Sequence, residues 1–158
     1  MRIGYGNDVH RLVSERKLIL GGIEIPFDKG PLGHSDGDAL AHAICDALLG
    51  AAALGDIGRH FPDSSPQWQG ASSMQFLRHV AQLVANKGYG IGNIDSTIEI
   101  QRPRISPFIG RMCQEMSSAL GIEVGQVSVK AKTAEGIGEI GRGEALRAEA
   151  VAIIYLAK

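Results

Sequence analysis

No apolar run in the 158 residues approaches the roughly 20 needed to cross a membrane, and the N-terminal Met-Arg-Ile-Gly-Tyr-Gly has no signal-peptide core. A soluble, cytoplasmic enzyme or binding protein is therefore expected. Cysteine is scarce: Cys45 and Cys113 stand far apart, form no CxxC pair and sit in apolar helical contexts that suit inert, buried thiols. Charge of one sign is lacking too. Sixteen Lys and Arg against 17 Asp and Glu are interspersed to a net −1, which argues against nucleic acid or an anionic membrane as main partner. Repeats, linkers and low-complexity segments are absent, so residues 1–158 are expected to form one domain, long enough to bury a core without a disulfide. Glycine, by contrast, is plentiful: 21 residues hint at several close approaches of backbone to a ligand or another chain.

The stretch from His34 to Asp63 carries the strongest chemical pattern. Asp38, His42 and Asp46 recur every four residues and so stack on one face of a helix whose other positions are small or apolar. A buried polar stripe needs partners or a ligand. Asp8 and His10, spaced by two, share a face of a strand. Together with His42 they offer one oxygen and two nitrogens, a set suited to zinc with one position open. Either histidine alone is more often a hydrogen-bonded surface or core residue, so the case rests on the combined spacing. Asp38 or Asp46 could orient the His42 ring, although helix capping is the favoured role for Asp38.

Along the chain, residues 2–8 read as a strand, and 17–26 as two short strands joined at Gly21-Gly22. A glycine-rich loop over 27–37 precedes a helix running to about Ala53, and Ser72 or Ser73 opens a second helix to about Lys87. A strand over 93–101, a helix over 105–120, a strand over 126–132 and a buried final strand ending 151–156 follow. The pattern predicts an α+β fold, a sandwich of one mixed β-sheet with helices packed on one face. The uncovered face makes self-association a reasonable expectation. Gly136-Ile-Gly138-Glu-Ile-Gly141 matches a dinucleotide fingerprint, but no adequate helix follows and the chain ends before a βαβ unit could close. Such a turn can still offer backbone N–H groups to phosphate beside Lys130, Lys132, Thr133, Glu135 and Arg142. Asp56 and Asp63 lie on loops where carboxylates can grip a diol or a hard cation, or simply make turns. Ser35 lies in no nucleophile elbow.

The blocks DVH (8–10), HSDGD (34–38), ALLGAAALGDIG (47–58), FPD (61–63), QRP (101–103), VKAKTAEG (129–136) and GRGE (141–144) resemble the 2-C-methyl-D-erythritol 2,4-cyclodiphosphate synthase family of the non-mevalonate isoprenoid pathway, and the likeness spans nearly the whole chain. The resemblance implies a homotrimer assembled through the sheets, with active sites between subunits. It implies Zn²⁺ on Asp8, His10 and His42, and Mg²⁺ or Mn²⁺ held by Glu135. The implied reaction is intramolecular: the 2-phosphate of 4-diphosphocytidyl-2-C-methyl-D-erythritol 2-phosphate attacks the β-phosphorus and expels CMP.

By the same likeness His34 and Thr133 stabilise the transition state and Ser35 holds phosphate. Asp56 and Gly58 grip the erythritol near Phe61, Asp63 and Ser65. Ile100, Pro103, Ser106 and Lys132 receive the cytidine. The chain departs from the family's usual pattern at Ala134, often Thr, and at Glu139, often aromatic. The second departure implies weak or no binding of an isoprenoid diphosphate near Arg142 on the trimer axis. Two rival readings remain at this point: a zinc-dependent phosphohydrolase, and a non-catalytic trimeric ligand-binding protein.

Overall fold

A computed structural model describes residues 1–157. Strand β1 spans Arg2–Ser14, followed by a small ribbon of β2 (Leu18–Leu20) and β3 (Ile23–Ile25), then β4 (Lys29–Pro31). Helix α1 (Ala39–Ala51) and the single turn α2 (Ile57–His60) precede α3 (Ser73–Asn86) and β5 (Tyr89–Glu99). Helix α4 (Ile109–Leu120), β6 (Val127–Lys132), the short α5 (Gly138–Gly141) and β7 (Ala145–Leu156) complete the chain. The main sheet has the order β4-β1-β7-β5-β6, antiparallel throughout except for the parallel β5–β6 pair. No helix among the described residues is long and apolar enough to cross a membrane.

The helices cover one face of this sheet, as the patterning predicts. Even-numbered residues of β7, from Leu146 to Ile154, are buried with Ile94, Ser96 and Ile98 of β5. The α1 stripe Ala39, Ala43, Ala47 and Ala51 is buried in the same core. Small residues dominate where α1 meets β1 for a geometric reason. A Cβ on Gly4 would lie 1.8 Å from the carbonyl oxygen of Ala47, and one on Gly6 would lie 2.1 Å from that of Ala43. Helix and strand backbones therefore almost touch, an approach only glycine permits. Gly4, Gly6, Asp8 and His10 alternate onto one face of β1, so the contact that seats the helix also aims the two candidate ligands at it.

Two expectations need correction. The first strand continues past residue 8 to Ser14, because pairing persists with β7 up to Arg11 and then passes to β4 from Leu12 onward. The last strand is not buried on both faces: Val151, Tyr155 and Leu156 are exposed. Val151 and Tyr155 join Ile3, Tyr5 and Val9 in an apolar strip on the back of the sheet, bordered by the Lys130–Asp95 and Arg147–Glu99 pairs.

Candidate metal centre

Asp8 stands between the two imidazoles. Its Oδ2 lies 2.8 Å from Nε2 of His10 and 2.9 Å from Nδ1 of His42. The three ligand atoms fall within 4.8 Å of one another, the one such group of three or more His, Cys, Asp and Glu side chains among the described residues. Side-chain exposures of 25, 15 and 12% for Asp8, His10 and His42 leave the cluster shielded yet reachable. Nδ1 of His10 is 2.8 Å from the Leu32 carbonyl, which can only accept. That contact fixes the proton on Nδ1 and leaves Nε2 to face the centre, a usual way of orienting a metal-binding histidine. The donor set and spacing fit a divalent ion with a fourth position open to the cleft.

In the metal-free protein the three groups support one another's charge. Burial of Asp8 opposes its ionisation, but hydrogen bonds from His10 and His42 outweigh this and hold the carboxyl well below the usual carboxylate range. Burial likewise opposes charge on His10, and the adjacent Asp8 carboxylate overrides it and raises the imidazole.

The two aspartates stacked with His42 on the helix do not orient its ring. Asp38 is fully buried and caps α1, accepting from Ala41 N at 3.0 Å and from the Gly21 and Gly22 amides. Burial, then the nearby Asp36, pushes its carboxyl up to about 6. Asp46 accepts from the Ile57 amide at 2.7 Å and so anchors α2 beside the cleft. The His42 ring is instead met through Nε2 by Ser73 Oγ at 2.9 Å and Ser35 Oγ at 3.2 Å. Fourfold spacing places groups on one helix face but does not reveal what packs opposite. Ser73 comes from another helix 31 residues on, with no local signal to announce it.

A cleft of about 400 Å³ opens over the cluster, lined by Asp8, His10, His42, His34, Ser35, Gly58, Phe61 and Asp63. Leu32, Gly33, Ile57, Trp68 and Phe76, which sequence reasoning did not single out, complete its walls. Phe61 stacks on Phe76 at 4.2 Å and meets Trp68 edge-on at 5.1 Å, which pins the 61–70 loop against the site. His34 Nε2 lies 3.4 Å from the Ser65 carbonyl. Asp56 does not line the cleft; it caps α2, accepting from Arg59 N at 3.0 Å. Arg16, also unanticipated, donates to the carbonyls of Pro31, Gly33 and Ser35 and clamps the loop that carries His34.

The remaining candidates gather elsewhere. Ile100, Pro103, Ser106, Lys132 and Thr133 line a second cleft of about 470 Å³. Exposed Glu135 accepts a hydrogen bond from the Thr133 hydroxyl and holds a positive φ of 52°, uncommon for a residue with a side chain. Asp8, Ala148, Ile98 and Ala131 lie in one row across the sheet. Three strand spacings thus separate β1 from β6, about 14 Å. Arg142 joins neither cleft but pairs with Glu144 at 2.9 and 3.0 Å. The GxGxxG run holds only the four-residue α5 and passes by a short turn to β7, with no helix following, as its flanking sequence predicts.

An α+β sandwich with a carboxylate and two imidazoles at the mouth of a cleft offers a candidate metal centre. The chain belongs to the YgbB family, whose model matches residues 1–155. It is 55% identical to the 2-C-methyl-D-erythritol 2,4-cyclodiphosphate synthase of Trichlorobacter lovleyi over 154 residues, 98% of each chain. Among solved structures it resembles the CDP complex of IspF from Plasmodium falciparum, with a TM-score of 0.87 and 37% identity over 99% of this chain and 97% of that one. It also matches a CDP-bound 2C-methyl-D-erythritol-2,4-cyclodiphosphate synthase, with a TM-score of 0.89 and 38% identity, covering 98% of this chain and all of the other.

Proposed function

We propose that the chain is a metal-dependent cyclodiphosphate synthase of isoprenoid biosynthesis. It converts 4-diphosphocytidyl-2-C-methyl-D-erythritol 2-phosphate to the 2,4-cyclodiphosphate and CMP. The observation that carries this reading is the Asp8, His10 and His42 tripod opening onto a cleft whose other walls present His34, Ser35, Gly58 and Asp63. Names of full-length relatives at about this size and fold support it.

No protein nucleophile is required, because the attacking oxygen belongs to the substrate's own 2-phosphate. That oxygen bonds to the β-phosphorus while the bond from this phosphorus to the CMP oxygen breaks, and CMP leaves with its electron pair. The chain's task is positioning and charge neutralisation. Asp8, His10 and His42 would hold Zn²⁺, which when bound lends Lewis-acid stabilisation to phosphoryl oxygens. His34, Ser35 and Thr133 offer hydrogen bonds to those oxygens, and Arg16 keeps the His34 loop in place. Glu135 would take Mg²⁺ or Mn²⁺ jointly with the diphosphate. Gly58 and Asp63, with Asp56 holding the α2 turn and Phe61 and Ser65 behind it, bound the erythritol pocket. Ile100, Pro103, Ser106 and Lys132 receive the cytidine.

One domain over 1–158 acts as a homotrimer in this reading. The apolar strip on the back of the sheet, with Ile3, Tyr5, Val9, Val151 and Tyr155 exposed, supports association through the sheets. The separation of the two clefts supports sites completed by a neighbouring subunit. The deciding experiment supplies the cytidylyl substrate with Mg²⁺ and follows products by chromatography. CMP and the cyclic diphosphate in equal amounts are expected. Inorganic phosphate in place of CMP would make the protein a phosphohydrolase.

A further inference from the structure

We propose that Ser73 and Asp36 are positioning residues for the metal centre: together they set the tautomer of His42, so that its bare Nδ1 faces the cation. The inference rests on the metal-site reading of Asp8, His10 and His42. Asp36, Ser73 and His42 form a connected line. The Ser73 hydroxyl lies 2.5 Å from Asp36 Oδ1 and 2.9 Å from His42 Nε2. A carboxylate only accepts, so the single hydroxyl proton of Ser73 goes to Asp36. The lone pairs of Ser73 Oγ then face His42, and the ring must offer Nε2–H to it. With Nε2–H fixed by Ser73, the proton that bridges Nδ1 to Asp8 Oδ2 in the metal-free protein is the one a cation displaces, and the neutral ring then turns a bare Nδ1 to the metal.

Helix capping does not account for this hydroxyl. Ser72 is the residue that caps α3, accepting from Met74 N through its own Oγ. Ser73 is the next residue in, fully buried, and its hydroxyl meets Asp36 and His42. Asp36 is held in turn by the amides of Ser73 at 2.8 Å and Asp38 at 3.1 Å, so its carboxylate cannot swing away. Ser35 Oγ, at 3.2 Å from the same ring nitrogen and 3.3 Å from the Gly37 amide, is the longer and weaker contact.

The test compares zinc affinity, measured by competition with a chelating dye, and thermal melting for Ser73→Ala, Asp36→Asn, their double variant and Ser72→Ala. Asparagine keeps the shape of Asp36 but turns one acceptor into a donor. Asp36 Oδ1 accepts from the Ser73 hydroxyl and the Asp38 amide and Oδ2 from the Ser73 amide, so an NH2 at either place opposes a donor, and the Ser73 hydroxyl loses the carboxylate that holds its proton away from His42. Each of the two relay variants should weaken zinc binding about 10–100-fold. The double variant should lose little beyond the worse single one, because both act on one ring. Ser72→Ala should lower the melting temperature and leave zinc affinity alone. Zinc affinity within about twofold of wild type in folded Asp36→Asn and Ser73→Ala overturns the proposal, and so does an equal loss in Ser72→Ala. If Ser73→Ala fails to fold, Asp36→Asn decides. A wild-type chain that takes up no zinc overturns the metal reading itself, a result distinct from intact binding that ignores the relay.

Discussion

Gly6 of β1 lies directly beneath the carbonyl of Ala43 on α1, with room for no side-chain atom: an added Cβ would stand 2.1 Å from that oxygen. The neighbour is helix backbone, so relief requires α1 to lift from the sheet. His42 would move with it, away from Asp8. Gly6→Ala should therefore destabilise the fold at or beyond the upper end of the ~1–3 kcal/mol seen for overpacked cores. It should also weaken zinc binding, although residue 6 touches no ligand. Urea titration with and without zinc checks both effects, and a stable, zinc-competent Gly6→Ala protein would refute the close-approach account.

Much of this architecture was legible because glycine, histidine and aspartate occur at structurally informative spacings. The period of two placed Asp8 and His10 together, the period of four put His42 on a helix, and their union is the cluster seen. What stayed hidden was anything decided by packing between distant elements. The strand over 2–14 looked shorter because Asp8 and His10, which line the cleft, and then the exposed Arg11 interrupt its apolar alternation. The run Val151-Ala-Ile-Ile-Tyr-Leu looked wholly buried because its exposed side chains are as apolar as its buried ones. Arg16 gave no signal because its three partners are backbone carbonyls, which every sequence supplies.

Arg16 tests whether the loop before α1 is held from behind. Its guanidinium donates to Pro31 O and Gly33 O at 3.1 Å each and to Ser35 O at 3.2 Å. Arg16→Ala leaves those carbonyls to water and frees the segment bearing His34 and Ser35. A loss of about 1.5–3 kcal/mol in stability is expected from bonds to a charged donor. Zinc affinity should change less than KM for the cytidylyl substrate, since the ligands themselves sit on β1 and α1. Steady-state kinetics beside a denaturant curve separates the two effects.

Protons and metal compete for the same atoms, which gives a pH dependence of definite sign. The His10 imidazole is raised above its ordinary 6.5, so its contribution to the metal-free fold is complete below that value and is lost as pH rises through the folded value. The Asp8 carboxyl is lowered from 3.8, so its contribution is present above 3.8 and is lost as pH falls through the folded value. The pair thus supports the metal-free protein most between 3.8 and 6.5. Zinc must displace the His10 proton, so its affinity should fall on acidification through that raised value, with protons released on binding. Thermal melts from about pH 5 to 8 should show zinc's added stabilisation growing with pH. A gain independent of pH would mean that His10 is not a ligand.

The distance between the two clefts makes a stronger prediction about assembly. Within one chain the tripod's Asp8 and His10 lie on β1 and the Thr133–Glu135 turn follows β6, strands three spacings or about 14 Å apart in the sheet. If each site joins one subunit's tripod to a neighbour's turn, two dead proteins can repair each other. His42→Ala removes a ligand from the tripod, and Glu135→Gln disables the turn; each alone should be inactive. Co-expressed in equal amounts and assembled at random into cyclic trimers, they should regain about a quarter of the wild-type sites. Those are the sites where an intact tripod meets an intact Glu135. Sites built within single subunits would stay dead in every mixture, so CMP release from the mixed trimers, set against the two parents, decides whether catalysis crosses the subunit boundary.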